Sequence, residues 1–189
     1  MAISSRAQRE MDAATLADYY RSFAAAGARR FNKSCFAVLN NNTSASYLKG
    51  DGVAWASTSH PSNVGVQSNL GSSALDNAAF EAAVKALREM LGPDGQLTPH
   101  DAALLYVPPA LDGTAYQILG SEFSAADDRR AINISRTRGV EYSASPYLSA
   151  AYGGSDTMWH LFSAQALQAG IARVNVFDAP SPRLEKIEG

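Results

Sequence analysis

Residues 51–61 read DGVAWASTSHP, from Asp51 to Pro61. Asp51-Gly52 is a turn dipeptide and His60-Pro61 closes the stretch, with a tryptophan and hydroxyl residues between them. Ser57 or Ser59 with His60 could form a nucleophile and its base, or the segment could only hold a fold together. Serine catalysis needs a nucleophile on a strained turn, a base within reach and donors for an oxyanion. Ser57, Ser59 and His60 lie too close in sequence to face one another easily, and Pro61 restricts His60 toward extended backbone. No GxSxG elbow occurs anywhere in the chain. Asp51, Asp101 and Asp156 are the carboxylates that would have to complete a triad. The structural reading is preferred: Asp-Gly turns the chain, Trp55 anchors a short strand-like run in the core, and His60-Pro61 forms a rigid turn.

Upstream, Leu16, Tyr20, Phe23, Gly27, Phe31, Cys35 and Val38 recur at spacings of three and four, the period of an amphipathic helix. A helix over 13–39 would be about 40 Å long at 1.5 Å per residue. Gly27 on the stripe predicts a close backbone approach or a bend, because glycine costs about 1 kcal/mol inside a helix. Cys35 reads as a small buried hydrophobe. NNNTSAS (40–46) ends the helix with residues that bond their own backbone.

Downstream, a second helix is predicted over 75–91, with Ser73 as N-cap and Asp76 in the first turn. Phe80, Val84, Leu87 and Leu91 form its buried face, and Glu81 and Lys85 make an i,i+4 pair. GPDG (92–95) stops it. ALLYV (103–107) reads as a fully buried strand, ended by Pro108-Pro109, with Pro109 opening a helix through 119. Strands are predicted at 140–144, 158–162 and 173–177, with a short helical piece at 164–169. The elements lack regular βα alternation, so the fold class is α+β.

The chain has 189 residues and a net charge of −2, which gives no general basic footprint for nucleic acid. Arg129, Arg130, Arg136 and Arg138 form the one basic cluster, partly offset by Asp127 and Asp128, and read as a solvated loop. A single cysteine excludes an internal disulfide and a cysteine-based zinc site. His60, His100 and His160 each stand alone, without metal-ligand spacing. Neither GxGxxG nor GxxxxGK[ST] is present, so no phosphate cradle is expected. Asp127-Asp128 and Glu185/Glu188 are the paired carboxylates, in loop or tail context, and Tyr19-Tyr20 and Tyr47 make no stacking platform. Catalytic, cofactor-binding and metal-ligating residues are therefore all expected to be none, with no cofactor. No run of 18 apolar residues predicts a membrane span, and MAISSRAQRE lacks an apolar leader segment, so a cytoplasmic product is expected. Charged residues make up 18%, below the usual ~25%, as on a surface that other chains cover.

The order of these segments resembles the major capsid (major head) proteins of tailed bacteriophages, in the branch carrying DG…LF(S/T)…HP, LVVPPALE and V.SPYL. Asp51-Gly52, Trp55, Ser57 and His60-Pro61 match the first motif, with Trp55 where leucine or phenylalanine is usual. Val107, Pro108, Pro109, Ala110 and Leu111 match the second, with Asp112 in place of glutamate. Ser145, Pro146, Tyr147 and Leu148 match the third. The likeness runs roughly from residue 14 to 187.

The resemblance implies the Hong Kong 97-like capsid fold, with residues 13–39 as the spine helix. Residues 1–70 would belong to the peripheral domain and 71–189 to the axial domain, incomplete at its C-terminal end. The family normally has an arm and an extended hairpin loop before the spine helix and further strands after the axial domain, so the chain is expected to be cut at both ends. The function implied is a non-enzymatic virion protein that self-assembles into an icosahedral head enclosing the DNA genome. Its partners would be copies of itself in hexamers and pentamers, scaffold, portal or decoration proteins, and packaged DNA held non-specifically, with no membrane. It would be found in the virion after assembly in the host cytoplasm. The alternatives are the shell protein of a cellular nanocompartment and, less well supported, a small serine hydrolase.

Overall fold

A computed structural model describes residues 12–44, 51–92, 94–123 and 132–169. Helix α1 spans Ala13–Asn40 and runs uninterrupted through Gly27. Asp12 caps it: the Thr15 amide donates to Asp12 Oδ1 at 2.7 Å, and hydrogen bonds from Thr15 hold the Asp12 carboxyl below its ordinary range. The apolar stripe is only partly covered. Tyr20 and Phe31 are exposed, and Cys35 is half-buried rather than buried. Leu39 is the buried residue of this helix. Among the described residues the chain divides into two compact units between Cys35 and Phe36.

The second unit is built on a three-stranded sheet in the order β4-β3-β5. The central strand β3 (Ala102–Val107) pairs parallel with β4 (Glu141–Ala144), Leu105 opposite Tyr142. It pairs antiparallel with β5 (His160–Ser163), Leu105 opposite Leu161. Successive side chains on a strand point to opposite faces. Leu105 and Val107 are fully buried, whereas Leu104 and Tyr106 are half-buried. The prediction of a wholly buried strand is thus corrected to one sealed face and one partly covered, aromatic face.

Helix α2 (Asn77–Arg88) lays Phe80 and Val84 on the sealed face. Its N-cap is Asp76, whose carboxylate accepts from the Ala79 amide at 2.7 Å. Ser73 lies too early to cap, and its carbonyl accepts from the Trp159 indole at 3.0 Å. The expected Glu81–Lys85 pair is replaced as well: Lys85 approaches Glu89 at 3.7 Å, while Glu81 is taken by Arg138. The helix stops at Arg88 rather than 91, because Leu91 leaves it to bridge Leu97.

After β3, Pro109 opens a 3-10 turn (Pro109–Leu111) that leads into α3 (Asp112–Leu119). Ala115, Ile118 and Leu119 of α3 complete the core beneath the sheet. The strands expected at 140–144 and 158–162 are β4 and β5, and α4 (Ala164–Ala169) follows β5. The strand expected at 173–177 lies outside the described residues. His60-Pro61 is not a rigid turn: β1 (His60–Ser62) pairs antiparallel with β2 (Gly65–Gln67) in a hairpin. The mixture of helices, one mixed sheet and one hairpin is α+β.

Candidate interaction site

In the segment first singled out, His60 meets Asp51, as a triad would require, with Nδ1 2.8 Å from Oδ2. Its other nitrogen faces Asn69 Oδ1 at 3.2 Å. The Asn69 amide is oriented by two further bonds: the Ser57 amide donates to its Oδ1, and its Nδ2 donates to the Trp55 carbonyl, each at 2.8 Å. Ser57 and Ser59 face each other across 3.2 Å. Both ring nitrogens of His60 are thus aimed away from the serine hydroxyls, and the constellation is a clasp rather than a nucleophile with its base. The Asx turn made by the Val53 amide on Asp51 Oδ1 (3.0 Å), with Gly52 at φ 78°, fixes its start. Asp101 pairs with Arg88 and Asp156 accepts from the Ala150 amide, so both are engaged elsewhere.

The remaining candidates separate cleanly. Arg129, Arg130, Asp127, Asp128, Glu185 and Glu188 lie outside the described residues. Arg136 is exposed, but Arg138 is not a solvated loop residue: Nε and Nη2 both donate to the Glu81 carboxylate. Arg138, and a hydrogen bond from Ser135, hold the Glu81 carboxyl below the usual range against the opposing effect of its burial. This ion pair braces the 3-10 turn Ser135–Arg138 against α2. A depression of about 350 Å³ beside it is lined by Val84, Arg88, Asp101, Ala102, Arg138 and Val140. Each of its arginines is matched by a carboxylate, and it contains no nucleophile. No group of three His, Cys, Asp or Glu among the described residues could hold a metal ion.

His160 lies in β5 with its ring 6.4 Å from that of Phe162, and burial pushes its pKa down to about 4. The fold favours the neutral ring, so its contribution to stability is complete above pH ~6.5 and lost as pH falls toward 4. About 2–3 kcal/mol should disappear between pH 7.5 and 4.5. Urea unfolding at the two pH values measures this, and His160→Leu should remove most of the difference. A difference that persists in His160→Leu would place the acid sensitivity elsewhere.

Two of the sequence motifs instead reach the aromatic face of the sheet, through Trp55 and Tyr147, and the other adjoins them at the strand ends. The parallel strands β3 and β4 each end in a proline-led 3-10 turn, Pro109–Leu111 and Pro146–Leu148. The Ser145 amide donates to the Val107 carbonyl at 2.9 Å, which sets the VPPAL and SPYL turns side by side. Onto this edge docks the end of α1. Phe36 stacks on Tyr147 (centroids 5.5 Å, 21°) and meets Tyr106 edge-on at 6.0 Å. Asn40 Nδ2 donates to the Tyr147 carbonyl at 2.9 Å. From the first motif, the Ala56 amide donates to the Asn42 carbonyl at 2.8 Å, and Trp55, half-buried, packs 6.1 Å from Phe162. These contacts are made by aromatic faces, a helix-end amide and proline-led turns rather than by groups that move protons.

One position escaped the sequence reading. Asn133 is buried, and its Nδ2 lies 2.8–3.2 Å from the carbonyls of Gln117, Ile118 and Ser121, capping the end of α3. A buried polar residue between two β-branched ones (Ile132-Asn133-Ile134) was its only available signal. With Asn133 turned inward, Ile132 and Ile134 stand 73% and 69% exposed. Phe123, opposite Ile132 in an isolated bridge, is exposed beside them.

A family model described as phage capsid protein matches residues 2–189. No curated protein and no solved structure matches the chain.

Proposed function

This chain belongs to the phage capsid protein family and so is a structural protein of a virion; on that premise we propose that it is the major subunit of an icosahedral head. Copies of it associate as hexamers and pentamers in a closed lattice around the packaged DNA, without enzymatic activity. In this reading α1 is the spine helix of a Hong Kong 97-like fold, residues 1–70 contribute to the peripheral domain and 71–189 to the axial domain. Scaffold, portal or decoration proteins are the further partners, and assembly takes place in the host cytoplasm.

The observation that carries the proposal is the family match across nearly the whole chain. The contacts of Phe36 and Asn40 with Tyr147 support it, because they are packing and backbone-bonding contacts of a structural protein and include no reactive group. Low charge content also fits, since obligate interfaces of ~2,000–5,000 Å² resemble a core cut in half, and closed symmetry repeats one contact many times. The protein expressed as its gene encodes it should form large closed particles in negative-stain micrographs and sediment far faster than a monomer. A chain that stays strictly monomeric across salt and protein concentration would overturn the proposal.

A further inference from the structure

Two apolar ridges lie at opposite ends of α2. At its N-terminal end, the Ser135 hydroxyl donates to Glu81 at 2.7 Å and lies 2.8 Å from the Asn77 side-chain amide, and this anchors the ridge of Phe123, Ile132 and Ile134. Beyond its C-terminal end, the Gln67 side chain donates to the Leu91 carbonyl and accepts from the Leu91 amide. That pair of bonds seats the β1-β2 hairpin there. The hairpin's inward face carries His60 and Gln67, and its outward face carries the cross-strand pair Pro61–Val66. Val64 at its tip lies against Gly95. Val64, Val66 and Leu97 are 64%, 70% and 62% exposed. A 12-residue helix is about 18 Å long, so the two ridges cannot cover each other within one chain.

We infer that the two ridges bind each other head to tail between neighbouring copies of this chain, the hairpin ridge of one seated on the Phe123–Ile132–Ile134 ridge of the next. The inference rests on the capsid-subunit reading and names a surface for it. Two different patches on one subunit generate a heterologous contact, the kind that closes into rings. Val66 in β2 and Ile132 in its bridge to Phe123 are the extended, β-branched members of the two ridges, and such side chains pair favourably on a pleated surface. Charge fixes the direction. Residues 52–75 contain no Asp, Glu, Lys or Arg, and Asp94 is the one such residue in 90–100. Across the contact, exposed Arg136 flanks the Ile134 end and exposed Glu122 the Phe123 end. Asp94 therefore meets the Ile134 end, beside Arg136.

Val66→Asp and Ile134→Asp each spoil one ridge at an exposed position, and both should keep the wild-type circular dichroism. In sedimentation velocity each variant alone should be monomeric where wild type assembles. An equimolar mixture of the two should form 1:1 dimers and nothing larger, because one intact ridge of each kind remains. Either variant assembling like wild type, or a mixture that stays monomeric, overturns the inference while leaving the capsid-subunit reading intact. A wild-type chain that never associates overturns both. Asp94→Arg should weaken association at least tenfold and Arg136→Asp in the same chain should restore it; absence of rescue rejects the direction assigned here.

Discussion

Phe80→Ala should cost about 3–5 kcal/mol of stability, the upper range for truncating a core aromatic. Phe80 is fully buried and, with Val84, supplies the fully buried surface of α2. The two residues are four apart, so one stripe of a 12-residue helix carries the contact with the sheet. Such a helix is marginal in water without tertiary packing. Removing the ring therefore leaves a void against Leu105 and Val107 and also loosens the platform to which Glu81 holds Arg138. Chemical denaturation would read the loss as a lower midpoint at unchanged slope. Val66→Ala, at an exposed site, should change stability by less than about 0.5 kcal/mol. A loss below about 1 kcal/mol for Phe80→Ala would mean that α2 is not packed as described.

Gly154→Ala should be nearly as damaging, at about 3 kcal/mol or more, through crowding rather than a void. A methyl group there would overlap the Leu148 carbonyl oxygen, and it would stand 2.6 Å from the Leu148 carbonyl carbon and 2.7 Å from Asn40 Oδ1. Two of these are backbone atoms held by their own bonds, the Ser155 amide donating to Leu148 and the Gly154 amide to Ser149. The displaced side chain is Asn40, whose amide ties α1 to Tyr147. The substitution thus strikes this contact at its tightest point. Gly113→Ala is the informative contrast, because it lies within α3 with nothing inside 4 Å of an added methyl. It should be neutral or stabilising by up to about 1 kcal/mol. Equal effects at the two glycines would refute the crowding explanation.

Periodic features were legible in the sequence. The long helix, the apolar run of β3, β4 and the proline-led turns follow from spacing and from residues with one backbone habit. Features decided by competition were not. Ser73 and Asp76 are both good caps, and only the fold shows that Trp159 occupies Ser73 while Asp76 reaches Ala79. Glu81 had a plausible partner one turn away in Lys85, yet a guanidinium more than fifty residues later offers a bidentate, partly desolvated contact. Asp51 and His60 do meet, but the direction of each ring nitrogen depends on Asn69, which has no local signature. The motifs pointed to the right neighbourhood and left its chemistry open, because a clasp and a catalytic dyad are written with the same residues.

The docking of α1 has a consequence for the order of synthesis. Asn40 and its acceptor Tyr147 are 107 residues apart, so at 5–20 residues per second the ribosome needs roughly 5–20 s to supply the second after the first. The central strand likewise waits for β4 and β5 before either of its edges is paired. Phe36 emerges early and its stacking partner Tyr147 late. For that interval the nascent helix end has no native surface to rest on, and crowding among neighbouring nascent chains, rather than the finished fold, sets the hazard. Slower initiation or lower temperature during expression should therefore raise the soluble yield more than any stabilising substitution in the completed core.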